Sequence, residues 1–188
     1  MTVGFGGSSL GGTLQAQIPM SQTVFVRGIW ATGAGGDSAR NDTGFTYNYD
    51  LNLGGAAVVL DYYPSAKGFR ASAGLFKSNS GAQIVANIDG DRVGSTVYSN
   101  GQITGDIRFR HETAPMLGLG YDFARGNRFA FGAEIGGIFI GGLDAIGRST
   151  GATTINQTDI DAEINDIKNE VGDLQIYPYI SLMANFRF

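Results

Sequence analysis

A chain of 188 residues with 30 glycines, 12 phenylalanines, 8 tyrosines and only 4 prolines is one domain in length and suits strands and turns better than a helical bundle. Its 13 basic and 17 acidic residues leave a net charge of -4, and the basic ones are scattered, which argues against a nucleic-acid partner. There are no cysteines, which removes disulfides, thiolate metal sites and a catalytic thiol, and no run of about eighteen apolar residues occurs, so any membrane crossing must be made by strands.

In chain order, spanning strands are predicted at about 4–18, 23–33, 43–62, 69–88, 102–123, 128–140 and 177–188. In the third of these, Phe45, Tyr47, Tyr49, Leu51, Leu53, Ala57 and Val59 share one face against Asn48, Asp50, Asn52 and Gly54. In the fourth, Phe69, Ala71, Ala73 and Leu75 oppose Arg70, Ser72, Gly74 and Phe76; in the sixth, Phe129, Phe131, Ala133 and Ile135 oppose Gly132, Glu134 and Gly136. An apolar face opposite a small, partly charged one describes the wall of a narrow membrane barrel. Short turns at Pro19 to Gln22, Pro64 to Gly68 and Ala124 to Asn127 alternate with long polar segments at 33–43, 78–111 and 141–175, the arrangement of periplasmic turns and external loops. Aromatics collect beside the short turns, at Tyr62, Tyr63, Phe69, Tyr121, Phe123, Phe129 and Phe131, as an interfacial girdle.

These seven strands fall one short of the even number that bacterial barrels use, and eight is the expected count. The eighth comes from residues 2–9 split off the first segment, from 143–155, or from sequence before Met1. The fold class is therefore all-β, an antiparallel transmembrane barrel occupying residues 1–188 as a single domain. The N-terminus lacks the basic start and apolar core of a secretory signal, which with a barrel implies a signal peptide already removed.

The final strand alternates Ile180, Leu182, Ala184, Phe186 and Phe188 with Ser181, Met183, Asn185 and Arg187 and ends on an aromatic, which an ordinary soluble terminus has little reason to do. Three segments carry a resemblance: Phe69-Arg70-Ala71-Ser72-Ala73-Gly74-Leu75-Phe76, Ala114-Pro115-Met116-Leu117-Gly118-Leu119-Gly120-Tyr121, and Tyr177-Pro178-Tyr179-Ile180-Ser181-Leu182 continuing to Phe186-Arg187-Phe188. They resemble a family of small, mostly uncharacterised Gram-negative outer-membrane barrels of the OmpA- and OmpW-like eight-stranded kind. That resemblance implies the outer membrane as location, lipid as surroundings, and the barrel-assembly machinery as the partner that reads Ile180, Leu182, Phe186 and Phe188. It implies no activity, cofactor or catalytic residue.

Arg27, Asp50, Arg70, Asp106, Arg108, Asp122 and Glu134 fall on predicted inner faces, where lone charges cannot remain dry and must pair or be hydrated. Paired, they fill the lumen as a plug. Residues 159–171 form the one convincing helix, with Ile160, Ile164, Ile167 and Val171 as an apolar stripe, Thr158 or Asp159 as cap, and an acidic opposite face. Such a helix either folds over the barrel rim or docks a partner protein or a second copy. His111 with an unidentified serine is the only candidate for hydrolysis, and Asn87, Asp89 and Asp91 lack the liganding Glu of a calcium loop, so neither catalysis nor a metal is expected.

A plugged barrel with a structural or surface-interaction role leads; a narrow solute channel comes next, and a lipid-modifying barrel enzyme third. A soluble ligand carrier of the lipocalin kind would place its apolar residues inside.

Overall fold

The computed structural model describes all residues except 43–44, 66–67, 94, 126, 151–153 and 172–173, and it leaves the side chains of 34–49, 91–92, 163 and 166–171 undescribed. Eight antiparallel strands close on themselves: β1 (Thr2–Ser8), β2 (Gly11–Pro19), β3 (Val24–Asp42), β4 (Phe45–Tyr62), β5 (Phe69–Ser78), β10 (Thr113–Phe123), β11 (Phe129–Ile138) and β13 (Tyr177–Arg187). The β1·β13 and β4·β5 pairings complete the ring.

The eighth strand comes from dividing the first predicted segment. Ser8-Ser9-Leu10-Gly11 makes the corner, where Ser8 Oγ accepts the Leu10 amide at 3.1 Å and Gly11 takes φ 108, a conformation that suits glycine. Two other predicted spans divide as well. Residues 69–88 become β5 and β6 (Gly81–Ile88), and 102–123 become β9 (Gly101–Phe109) and β10. Together with β12 (Leu143–Ser149), β6 and β9 continue the sheet beyond the barrel in the order β12-β9-β6-β4-β3. Much of the sequence predicted as long loops is therefore an ordered extension.

Pairing changes hands on β4. Residues 55–62 pair with β5 in the barrel, while 46–52 pair with β6 in the extension. Opposite that exchange, β3 carries a bulge between Thr32 and Ala34 with Gly33 at φ 90, just where its pairing with β2 stops.

The extension has its own core of Ile88, Val93, Ala145, Ile155, Ile160 and Ile164. The last two belong to α1 (Gln157–Val171), which lies on β12 over Gly147. A Cβ at Gly147 would stand 2.6 Å from Ile160 Cγ2, so the glycine admits the helix. Asn156, and neither Thr158 nor Asp159, caps it, accepting the Thr158 amide at 3.0 Å. Asp159 instead accepts from Ser95 N, Ser95 Oγ and Tyr98 Oη, tying α1 to the hairpin of β7 (Asp91–Val93) and β8 (Thr96–Tyr98). These bonds, that from Tyr98 foremost, hold the Asp159 carboxyl below its ordinary range. A lowered native pKa contributes stability above the unfolded value and loses it as pH falls through the native one. Amide exchange at Ile160 and Ile164 is therefore expected to quicken on acidification below about pH 4, with barrel amides unaffected, and Asp159→Asn should abolish that acid step.

Outside, the barrel presents Phe5, Leu14, Trp30, Val58, Leu60, Leu75, Leu117, Leu119, Phe131, Ile135, Ile180 and Leu182, all exposed, a continuous belt that hydrocarbon covers and water does not. At the turn end the rings of Phe129, Phe186 and Phe188 stack edge to face in sequence, beside Tyr121 and Phe123. Ile135 sits in the row Leu119, Ile135, Ile180 at 65 % exposure. Ile135→Arg is expected to destabilise the barrel by about 2–4 kcal/mol in urea titrations in lipid.

One predicted face is reversed. Ala57 and Val59 point into the lumen and are buried, while Val58 and Leu60 face outward. Alternation misleads here because the lumen next to the extension is itself apolar.

Candidate functional site

The lumen contains two layers. The layer nearer the turns is polar and is organised by two arginines from β3 and β5, the strands on either side of β4. Arg27 on β3 donates Nε and Nη2 to the two oxygens of Asp61 on β4, at 2.8 and 2.9 Å. The same guanidinium donates Nη1 and Nη2 to Glu134 on β11, at 2.7 and 3.0 Å, and reaches Gln15 Oε1 at 3.0 Å and Ser72 Oγ at 3.2 Å. Arg70 on β5 donates Nη2 to Glu134 Oε2 at 2.8 Å and Nη1 to Asp122 on β10. Tyr63 Oη donates to the other Asp122 oxygen at 2.6 Å, and Ser72 Oγ to Asp61 at 2.6 Å. Gln15 Nε2 reaches Asn185 of β13 at 2.7 Å.

This network touches every barrel strand except β1, so it cross-links the wall. Arg27, Asp61, Arg70 and Glu134 are 0–3 % exposed, a depth that charged groups tolerate only when paired. Arg27 grips Asp61 and Glu134 bidentately, whereas Arg70 makes single contacts to Glu134 and Asp122, and its Nε, 3.9 Å from Asp61, has no hydrogen-bond partner among the described residues. Glycines make the room: a Cβ at Gly118, Gly120 or Gly132 would stand 2.7 Å from Glu134 Oε1, 2.9 Å from Arg70 Cζ and 2.7 Å from Asp122 Oδ1.

The second layer, toward the extension, is apolar. Leu10, Ile29, Val59, Phe76, Met116, Ile138 and Tyr179 fill the lumen, and Phe109 from the end of β9, with Ile140, closes it from above. The Phe109 ring lies 5.5 Å from that of Tyr177. Among the described residues, the charged layer is backed by apolar side chains on its extension side and meets a cavity on its turn side. On that side a cavity of about 500 Å³ opens between the turns, with Arg27, Arg70 and Asp122 at its base and Phe25, Tyr63 and Arg125 in its wall.

Of the charges predicted inside, Arg27, Arg70, Asp122 and Glu134 meet there. Asp50, Asp106 and Arg108 do not: they lie on the β4, β6 and β9 part of the extension, where Asp50 and Arg108 are exposed and Asp106 accepts from Gln83 at 3.4 Å. Their strands alternate correctly but belong to an open sheet with no lumen. Asp61, Gln15, Gln17 and Asn185 complete the network without being predicted as its members, and Ser72 joins it from the predicted inner face of Arg70; Tyr63, expected in the interfacial girdle, is instead buried with its hydroxyl on Asp122. Asp61 was hidden by the reversed face of β4, whereas Gln15 and Gln17 alternate with Leu14 and Ile18 and were legible as an inner face.

The helix stripe is used within the chain. Ile160 and Ile164 are buried on β12, so they are not open to a partner, and the Ile167 and Val171 side chains lie outside the described residues. Ile180, Leu182 and Phe188 are exposed at the lipid face, with Phe186 between neighbouring rings. His111 packs against the Gly141 backbone, and among the described residues no hydroxyl hydrogen-bonds to its ring. Among the described residues no cluster of three or more acidic or imidazole groups could hold a metal ion.

No protein-family model and no curated protein matches the chain. Two crystal structures of Acinetobacter baumannii proteins do match in shape. CarO superposes with a TM-score of 0.62 at 18 % identity, covering 100 % of this chain and 97 % of its own. CarO2 gives 0.61 at 14 % identity, covering 100 % of both. At such identities the likeness concerns the fold, and it extends over the whole chain, so the eight-stranded barrel and the extension share one framework with both neighbours.

Proposed function

We infer that the protein is an outer-membrane barrel closed to solutes, whose role is to hold the acidic extension at the cell surface for structural or adhesive contacts. The two-layer lumen carries this reading: a charged network that cross-links the wall, backed by a dry apolar layer, is a stabilising core and not a conduit. Outer-membrane placement is supported by the apolar belt, the aromatic ring at the turn end and the likeness to the CarO barrels. With short turns periplasmic, the extension stands outside.

Planar-bilayer recording on protein refolded from urea tests closure. Rare or absent current steps are expected. A steady, large conductance from the unaltered chain would refute the closed reading and establish the narrow channel in its place.

A further inference from the structure

The cavity at the turn end contains a cation that the lumen network does not use. Arg125, in the turn between β10 and β11, places its guanidinium 3.5 Å over the Tyr63 ring and 5.2 Å from Phe25, whose own rings meet edge to face at 5.2 Å. Tyr63 donates its hydroxyl to Asp122, which enriches the ring and strengthens the stack. Stacking occupies the flat face of a guanidinium and leaves its in-plane N–H donors free. Among the described residues no carboxylate lies within ion-pair range of Arg125, or of Arg187 at the end of β13, which lines the same cavity. The one carboxylate lining it among the described residues, Asp122, is already held by Arg70 and Tyr63.

An immobilised fork with free donors, a second unpaired arginine and a cavity of about 500 Å³ match the planar oxygens of a carboxylate or phosphate. We propose that this vestibule is an oxyanion-binding site, open on the turn side, in which Arg125 supplies directed hydrogen bonds and Arg187 supplies charge. The apolar layer behind it makes the site a blind pocket that binds without passing its ligand across the membrane.

Inorganic phosphate titrated into the refolded barrel in a zwitterionic detergent is the probe, followed by calorimetry and by the arginine Nε–H resonances. Saturable binding with a shift confined to Arg125 and Arg187 is expected. Arg125→Gln should weaken it about tenfold or more, the loss of a charged hydrogen bond. Arg125→Lys should weaken it nearly as much because the stacked fork is gone. Arg187→Gln should weaken it less, and Arg148→Gln in the extension not at all; heat-modifiable gel migration verifies that each variant is folded. Competition by phosphatidylglycerol vesicles would assign the site to lipid headgroups, and its absence to a soluble anion. No saturable heat, or equal affinity in all the variants, would overturn the proposal.

Discussion

Glu134→Gln is expected to lower the unfolding free energy by about 3–5 kcal/mol, measured by urea titration in lipid vesicles. Glu134 is the residue both guanidiniums share, so its loss withdraws an anion from Arg27 and Arg70 together in a region 1–3 % exposed. An amide in its place turns one end toward the arginines as a donor, which adds a repulsive contact. Double-mutant cycles should give coupling of about 1–3 kcal/mol between Glu134 and Arg27, and again between Glu134 and Arg70. Asp144 and Arg110, an exposed pair at 3.3 Å in the extension, should couple far more weakly. Conductance should stay low in Glu134→Gln because the apolar layer is intact. If Glu134→Gln is as stable as the parent, the network is hydrated and does not bind the wall together.

Phe76→Ala is expected to cost about 3–5 kcal/mol, the range for removing a buried aromatic. Phe76 is 2 % exposed and packs into the apolar layer with Ile29, Val59 and Met116. The hole should not conduct by itself, since Arg27, Asp61 and Glu134 still block the polar layer. Combined with Glu134→Gln it should, and bilayer recordings on the two single variants and the double variant decide the matter. A conducting Phe76→Ala single variant would show that the charged layer is permeable and that only the apolar layer seals the barrel.

The barrel was readable in the sequence wherever one face meets lipid and the other meets charge. Along β11, Phe131 and Ile135 alternate with Gly132 and Glu134 without ambiguity, and β13 does the same with Ile180 and Leu182 against Ser181 and Met183. Legibility failed where both faces are apolar. From Ala56 to Leu60 the chain offers no polar residue to mark the inside, so alternation alone inverts the face and gives no sign that Asp61 points inward. The extension escaped for a different reason. The strand character of β6 and β9 is legible inside the spans 69–88 and 102–123, but these read as single spanning strands, and β12 lies in a polar segment; only pairing across the long separation between β6, β9 and β12 makes them a sheet apart from the barrel.

The unbroken passage of β4 from barrel to extension sets how far the protein reaches. Residues 45–52 continue the strand that 55–62 form in the barrel wall, without a linker. At about 3.3 Å per residue, the outer half of β4 extends roughly 30 Å along the strand axis, comparable to the hydrocarbon thickness of a bilayer. Anything grasping the tip therefore pulls on a β-ribbon hydrogen-bonded into the wall, and load applied at the surface passes directly to strands that the Arg27 and Glu134 contacts clamp together. The molecule has the mechanics of a mast stepped through a deck.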